Sequence, residues 1–154
     1  MKLYLVRHGE AERKDVHPQR PLTARGREET EAVARAAAER VYGVDVIWHS
    51  TMTRARETAE ILAKRLSPSG GLIEREGLTP NDPVGPVAVE IESLQGDLIL
   101  VSHIPFVHRM SGRLLIGEEE AEPVCFNTAG FACLEADDAL HWKLAWMLDP
   151  SELM

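Results

Sequence analysis

Four basic side chains lie just beyond short apolar segments of the chain, and they are Arg7, His8, Arg54 and His103. Guanidinium groups stay charged at any working pH and match phosphate oxygens through paired hydrogen bonds. A neutral imidazole is a competent nucleophile near neutral pH, because its unperturbed pKa is about 6.5. Gly9 follows His8 and would let a ligand approach the backbone closely. These residue types predict a phosphate site with a histidine nucleophile.

The overall charge makes such a local cluster of cations informative. The chain has 17 Lys and Arg residues against 25 Asp and Glu residues, which gives a net charge of −8. A surface this acidic repels nucleic acid and anionic lipid, so we expect neither a nucleic acid nor a membrane as partner. An anion could bind only where cations are concentrated.

Length and hydropathy indicate one globular domain spanning residues 1–154. No segment reaches the ~18 consecutive apolar residues of a membrane span. The N-terminus lacks the pattern of a signal peptide, so we expect a cytoplasmic protein. Cys125 and Cys133 lie among mostly apolar neighbours in a strand-like region, which favours structural thiols over a disulfide or a reactive pair. Their spacing does not match a zinc site.

Hydrophobic periodicity predicts strands and helices in alternation. Strands are expected at Leu3–Val6, Val44–Trp48 and Leu98–Val101, and helices at Gly26–Tyr42, Thr53–Leu66, Val84–Leu94 and Pro105–Ile116. A hairpin of Phe131–Glu135 with Trp142–Met147 should follow, with Trp142 and Trp146 on one core-facing side. This order predicts an α/β fold with three α/β/α layers and a mixed, mostly parallel sheet that ends in a C-terminal antiparallel hairpin.

The predicted topology brings the basic residues together. In open α/β sheets, ligands bind beyond the carboxyl ends of the strands. If the first three strands are parallel, Arg7, His8, Arg54 and His103 converge at one edge of the sheet. The helix that begins near Thr53 would also direct backbone N–H groups towards an anion bound there.

Several motifs resemble those of the histidine-phosphatase superfamily, whose fold is the phosphoglycerate mutase-like one. Arg7-His8-Gly9-Glu10 after an N-terminal strand resembles the RHG signature of that family. Three further elements resemble its motifs in the same order, and they are Pro21–Gly26, Ser50–Thr58 and Ser102–His103. The family has Pro where this chain has Thr51, and Gln where it has Glu57. Neither change removes a group expected to touch phosphate, although Glu57 could alter the orientation of Arg54.

The short chain is most similar to one branch of that family, the SixA-type phosphohistidine phosphatases. Only about thirty residues separate the second predicted helix from the third predicted strand, whereas mutases carry long insertions that cover the site. The segments that resemble the SixA type are Arg20–Thr23, Leu78–Pro80 and Val101–Pro105. The resemblance then covers nearly the whole chain.

The resemblance implies a role for each residue of the site. His8 would attack phosphorus and form a covalent phosphohistidine intermediate, which water then hydrolyses. The phosphate-binding residues would be Arg7, Gly9, Arg20, Arg54 and His103, with Arg20 taken from the SixA pattern alone. No metal and no other cofactor is expected, because arginines supply the positive charge. The substrate would be phosphohistidine on a protein, such as a histidine-phosphotransfer domain.

Other functions remain open from the sequence. A small-molecule phosphomonoesterase acting on a sugar phosphate or a nucleotide would need a general acid. The candidates for that acid are Glu74, Glu76 and Asp82, and Asp82 is preferred because it follows the Leu78–Pro80 segment. A non-catalytic phosphoprotein-binding module is a further alternative, and a zinc site of His8, His49 and His103 is a remote one.

Overall fold

A computed structural model describes all 154 residues of the chain as six strands and four α-helices. The strands are β1 (Lys2–Arg7), β2 (Val46–His49), β3 (Leu72–Glu74), β4 (Leu98–Ser102), β5 (Phe131–Ala136) and β6 (Trp142–Leu148). The helices are α1 (Ala24–Ala38), α2 (Thr53–Leu66), α3 (Gly85–Glu92) and α4 (Phe106–Leu115). A short 3-10 turn at Pro150–Glu152 follows β6. No helix is both long and apolar enough to span a membrane.

The strands form one mixed sheet in the order β3-β2-β4-β1-β5-β6. Strands β1 to β4 pair in parallel, whereas β5 pairs antiparallel with β1, and β6 antiparallel with β5. Helices α1 and α2 pack on one face and contribute Val33, Ala59 and Leu62 to its core. Helices α3 and α4 cover the other face with Ile91, Phe106 and Met110. The predicted three-layer α/β/α fold with a C-terminal hairpin is confirmed.

Most predicted elements occur within a few residues of their expected bounds, and Thr53–Leu66 matches α2 at both ends. Helix α1 ends at Ala38 and not at Tyr42, while Gly43 adopts a positive φ of 68° after it. Strand β3 was not predicted from the sequence. Its three residues are all exposed at the edge of the sheet, so they carry no buried apolar pattern that could mark a strand.

The prediction that Trp142 and Trp146 share one face of β6 is wrong. A register shift lies between Cys133 and Leu134, because Cys133 pairs with Trp146 and Leu134 with Leu144. This bulge adds one residue to β6. Side chains on its two sides that would share one face of the sheet therefore point to opposite faces. Trp146 therefore packs against the α1–α2 core and Trp142 against the α3–α4 core.

The two cysteines also differ from the expectation of a shared strand-like region. Cys133 is buried in β5, whereas Cys125 is exposed in the loop before it. Both thiols are free. Burial raises the pKa of the Cys133 thiol to about 11, which suits an inert core residue.

Candidate active site

The carboxyl ends of β1, β2 and β4 lie side by side, and polar residues follow each of them. Arg7 pairs with Ser102 across β1 and β4, and the His8 N–H donates to the Ser102 carbonyl at 3.0 Å. The Ser50 N–H donates to the Val101 carbonyl at 3.3 Å. These backbone bonds hold the segments after the three strands at one edge of the sheet, where parallel topology predicts a ligand site.

His8 and His103 face one another at this edge, with ring centroids 5.0 Å apart and planes inclined by 58°. Both are buried, and His8 retains 7% of its exposure against 1% for His103. Burial, together with Arg54, Arg7 and Arg20, lowers the pKa of His8 to about 4, against an opposing bond to Gly9. Burial, His8 and the same arginines lower the pKa of His103 to about 3. Both rings are therefore neutral at pH 7.

A hydrogen bond decides which nitrogen of His8 carries the proton. His8 Nδ1 lies 2.7 Å from the Gly9 carbonyl oxygen. A carbonyl can only accept, so Nδ1 must be the N–H of the neutral ring. The lone pair is then on Nε2. His8 is thus held as a neutral imidazole with a free nucleophilic nitrogen.

The end of β1 is also fastened to the first turns of α2. The Gly9 N–H donates to Thr58 Oγ1 at 2.9 Å, and that hydroxyl donates to the Arg54 carbonyl at 2.7 Å. A Cβ on Gly9 would lie 2.6 Å from Thr30 Oγ1, so the close approach of α1 requires glycine at this position. Thr58 is the last residue of the Ser50–Thr58 motif, and its residue type alone did not mark it as part of the site.

Three polar atoms at this edge have no hydrogen-bond partner. Across the whole chain, the buried side-chain nitrogen and oxygen atoms that lack a partner are Arg7 Nε, Arg54 Nε and His103 Nδ1. Buried polar groups are almost always paired, and leaving one unpaired costs about 1–3 kcal/mol. That the exceptions belong to three of the predicted site residues indicates a site preorganised for a ligand with several acceptor atoms. Phosphate is such a ligand.

Arg7 is held from the loop that precedes β5. Its Nη1 donates to the Phe126 carbonyl at 2.9 Å, and the Phe126 N–H donates to His108 Nε2 at 3.2 Å. Arg7 also lines a cavity of about 370 Å³ between the start of α1 and the chain after β6, with Glu10 and Asp149 among its other lining residues. No pattern in the sequence marked Phe126, because it acts through its backbone.

Arg20 lies close enough to lower the pKa of His8, His103 and Arg54 by repulsion between positive charges. It has a positive φ of 50°, unusual for a residue with a side chain, and its Nε donates to the Glu12 carbonyl at 2.9 Å. The Arg20 guanidinium therefore lies near Arg54 and the two histidines. Sequence patterns without the resemblance did not identify it.

The two positions at which the chain departs from the family pattern, Thr51 and Glu57, make no hydrogen bond to either histidine. Thr51 is exposed. Glu57 accepts hydrogen bonds from the Leu22 N–H at 2.8 Å and from Arg27 Nη2 at 2.7 Å. Glu57 therefore connects α2 to the loop that contains Arg20 and Leu22. It makes no hydrogen bond to Arg54.

Asp82, the preferred candidate for a general acid, lies in a turn before α3. Its carboxylate accepts from the Thr79 N–H at 2.8 Å and from the Thr79 hydroxyl. The charged groups that influence the pKa of His8 are all cations. No group of three or more His, Cys, Asp and Glu side chains could hold a metal ion. The geometry therefore does not provide the zinc site of His8, His49 and His103.

Comparison with protein families identifies the family of this chain. The model of the histidine phosphatase superfamily (branch 1) matches residues 3–79, which include β1, α1, β2 and α2. The chain belongs to the histidine phosphatase superfamily. This superfamily comprises phosphatases, so the chain falls among the hydrolases that act on phosphoryl groups.

Known proteins are similar to this superfamily member over most of its length. An uncharacterised protein of Picosynechococcus sp. is 32% identical over 126 residues, covering 77% of this chain and 75% of that protein. The protein histidine phosphatase SixA, solved with tungstate, has a TM-score of 0.89 at 25% identity and full coverage of both chains. A protein assigned as the phosphohistidine phosphatase SixA of Agrobacterium tumefaciens has a TM-score of 0.77 at 27% identity, with 97% of each chain covered. The SixA-type resemblance is confirmed.

Proposed function

We propose that this superfamily member is a metal-independent phosphohistidine phosphatase that acts on a phosphorylated protein, with His8 as its nucleophile. The observation that carries the proposal is the set of three unpaired buried nitrogens on Arg7, Arg54 and His103. These nitrogens stand beside a neutral histidine whose Nε2 is free. A phosphoryl group offers acceptor oxygens to these three nitrogens, and its phosphorus atom is the electrophile that His8 Nε2 would attack.

The reaction follows from the state of His8. Its Nε2 attacks phosphorus in line, a bond forms between Nε2 and phosphorus, and the bond to the substrate nitrogen breaks. The departing imidazole takes a proton from solvent. Phosphorylation at Nε2 leaves His8 with a positive charge and a proton on Nδ1, which the Gly9 carbonyl stabilises through the 2.7 Å hydrogen bond. Water then attacks phosphorus and releases phosphate and neutral His8.

The arginines supply the charge stabilisation that phosphoryl transfer requires. Arg7 and Arg54 would bind the equatorial oxygens through their free Nε–H groups, and Arg20 would add a third positive charge. His103 would donate a further hydrogen bond. Because the Arg7 and Arg20 guanidiniums are held by backbone carbonyls before the substrate arrives, they need little reorganisation as charge develops.

The surroundings of His8 support phosphohistidine over a phosphate ester. An alkoxide leaving group needs an acid to protonate it, whereas imidazole leaves far more readily. The charged groups acting on His8 and His103 are arginines and the partner histidine, with no carboxylate among them. The Asp82 carboxylate is engaged by Thr79. A site of this composition suits a substrate that does not depend on a general acid.

The segment between α2 and β4 supports a protein substrate. Most of its buried side chains belong to the α3–α4 core, and they include Leu78, Val84, Val87 and Ile91. Residues 67–97 thus form β3 and part of one helical layer of the fold. They leave no long insertion to cover the site. Without a covering insertion over this site, we expect it to admit a bulky phosphoprotein such as a histidine-phosphotransfer domain.

The test incubates the protein, and separately its His8→Ala variant, with three kinds of substrate. These are a phosphorylated histidine-phosphotransfer domain, p-nitrophenyl phosphate and a panel of sugar phosphates and nucleotides. We expect rapid loss of protein phosphohistidine that disappears in His8→Ala, with much slower ester hydrolysis. Rapid ester hydrolysis that depends on Asp82, with phosphohistidine untouched, would instead establish the small-molecule phosphomonoesterase. Binding of the phosphoprotein without turnover of any substrate would establish a phosphoprotein-binding module.

A further inference from the structure

Ser50, the first residue of the Ser50–Thr58 motif, makes a direct contact with His103 to which neither the sequence analysis nor the mechanism gives a role. It is completely buried at the end of β2, and His103 is 1% exposed. Ser50 Oγ lies 2.7 Å from His103 Nε2. The same oxygen accepts a hydrogen bond from the Met52 N–H at 3.3 Å. Ser50 thus connects the turn that leads into α2 with the second histidine of the site.

The direction of this hydrogen bond follows from counting hydrogens. Ser50 Oγ already accepts from Met52, and His103 Nε2 is its other polar neighbour. If His103 carried its proton on Nε2, the buried Ser50 hydroxyl hydrogen would have no acceptor. If Ser50 donates to Nε2, the hydroxyl is fully paired. The second arrangement therefore avoids the cost of an unpaired buried donor.

This hydrogen bond at Nε2 determines the protonation of the other ring nitrogen of His103, Nδ1. A neutral imidazole has one N–H, so a bond accepted at Nε2 puts the proton on Nδ1. Nδ1 is the atom of this ring that is buried and without a partner. With the other tautomer, a lone pair at Nδ1 would meet the lone pairs of the phosphoryl oxygens.

We infer that Ser50 is a positioning residue that holds neutral His103 in the Nδ1–H tautomer, so that this ring donates a hydrogen bond to the phosphoryl group. The inference rests on the proposed function for the identity of the ligand, whereas the tautomer itself can be measured without any substrate. Ser50 acts only through His103. It keeps a neutral ring ready as a donor at every pH above the low pKa of His103.

The first experiment reads the tautomer directly. The full chain is labelled with ¹⁵N-histidine, the His103 signals are assigned with His103→Gln, and Nδ1 and Nε2 are distinguished by their nitrogen shifts near pH 7.5. We expect wild-type His103 to carry its proton on Nδ1. A proton on Nε2 in the wild-type protein would overturn the inference without any variant at Ser50.

The second experiment compares Ser50→Ala with Ser50→Thr, which keeps the hydroxyl, and with Ser111→Ala. Ser111 is an equally buried serine whose hydroxyl donates to the His108 carbonyl at 2.9 Å, so it controls for loss of a buried hydroxyl. Ser50→Ala should give mixed His103 tautomers and lower kcat/KM by about 10- to 100-fold, as when a partner that fixes a histidine tautomer is removed. Ser50→Thr should retain the Nδ1–H form, and Ser111→Ala should retain both properties.

The outcomes separate this inference from the proposed function. A Ser50→Ala protein that keeps the Nδ1–H tautomer, or an equal loss of kcat/KM in Ser111→Ala, would show that Ser50 has only a structural role. If the added methyl of Thr prevents folding, Ser50→Cys, a weaker donor of similar size, should give a tautomer mixture between those of wild type and Ser50→Ala. Activity that survives in His8→Ala would overturn the proposed function and leave the tautomer result standing.

Discussion

The ends of β1 and β2 carry two buried histidines with the same local hydrogen bond and different surroundings. His8 Nδ1 bonds to the Gly9 carbonyl at 2.7 Å, and His49 Nδ1 bonds to the Ser50 carbonyl at 2.9 Å. Each ring thus contacts the carbonyl of the next residue and presents Nε2 as the nitrogen with the lone pair. The local backbone alone would make either histidine a nucleophile.

His8 differs from His49 in the side chains that other segments of the chain place around it. His8 lies just past its strand, 5.0 Å from His103 and within the field of Arg7, Arg20 and Arg54. His49 lies within β2, where its neighbours in the sheet are Glu74 and Val101. A free imidazole nitrogen therefore becomes a candidate nucleophile only where cations from other elements can hold the group that it attacks.

Removing each ring in turn should give the largest difference between the two strand ends. His8→Ala should lower the rate of phosphohistidine hydrolysis by about 10³-fold or more, because the attacking nitrogen is lost. His49→Ala should retain kcat/KM within about 10-fold, since only a core contact is removed. Single-turnover assays on the phosphoprotein measure both. Equal losses in the two variants would mean that β2 contributes a reacting group of its own.

The cations around His8 are tested by two arginines in the first turn of α2, which point to different sides of the helix. Arg54→Gln should reduce kcat/KM by roughly 10²- to 10³-fold, the range for losing one donor to developing charge. Arg56→Gln is the matched control, because Arg56 is exposed and lies 3.9 Å from Glu60. It should remain within about twofold of wild type. Steady-state kinetics on the same substrate would reveal an error in this assignment if both variants lost activity equally.

The residue after each histidine offers a further contrast, because Gly9 follows His8 and Ser50 follows His49. In Gly9→Ala the new Cβ would lie 2.6 Å from Thr30 Oγ1 and 3.1 Å from the Gly26 carbonyl oxygen. The free energy of unfolding should fall by about 1–3 kcal/mol, as for other overpacked sites. Gly85→Ala is the control, since its nearest neighbour is 3.5 Å away. Urea denaturation compares them, and unchanged stability in Gly9→Ala would contradict the close packing seen here.

The dependence of stability on pH should also differ between wild type and His8→Ala. Folding lowers the pKa of His8 from 6.5 to about 4, so the unfolded chain binds more protons between these values. Stability is therefore fully present above pH 6.5 and falls as the pH drops towards 4. His8→Ala should remove roughly 2 kcal/mol of the loss between pH 7.5 and pH 4.5. Urea unfolding at the two pH values checks this, and an unchanged loss would mean that His8 is not held neutral.

Much of the fold could be predicted because its elements are encoded locally. The apolar segments that became β1, β4 and α2 lie in the core, so their hydrophobic periodicity is strong. Strand β3 was missed because it is exposed along its length. The faces of Trp142 and Trp146 were assigned wrongly because a bulge is a relation between β5 and β6, and neither strand encodes it alone.

The sequence by itself determined which residues could do the chemistry. The residue types and the ends of the predicted strands indicated Arg7, His8, Arg54 and His103, and the motifs indicated the family. Only the tertiary structure decided which nitrogen of His8 is free, which buried nitrogens lack partners and which nitrogen of His103 Ser50 contacts. The physical reason is that hydrogen-bond direction and desolvation depend on groups far apart in the chain, such as Ser50 and His103, that meet only when the sheet has formed.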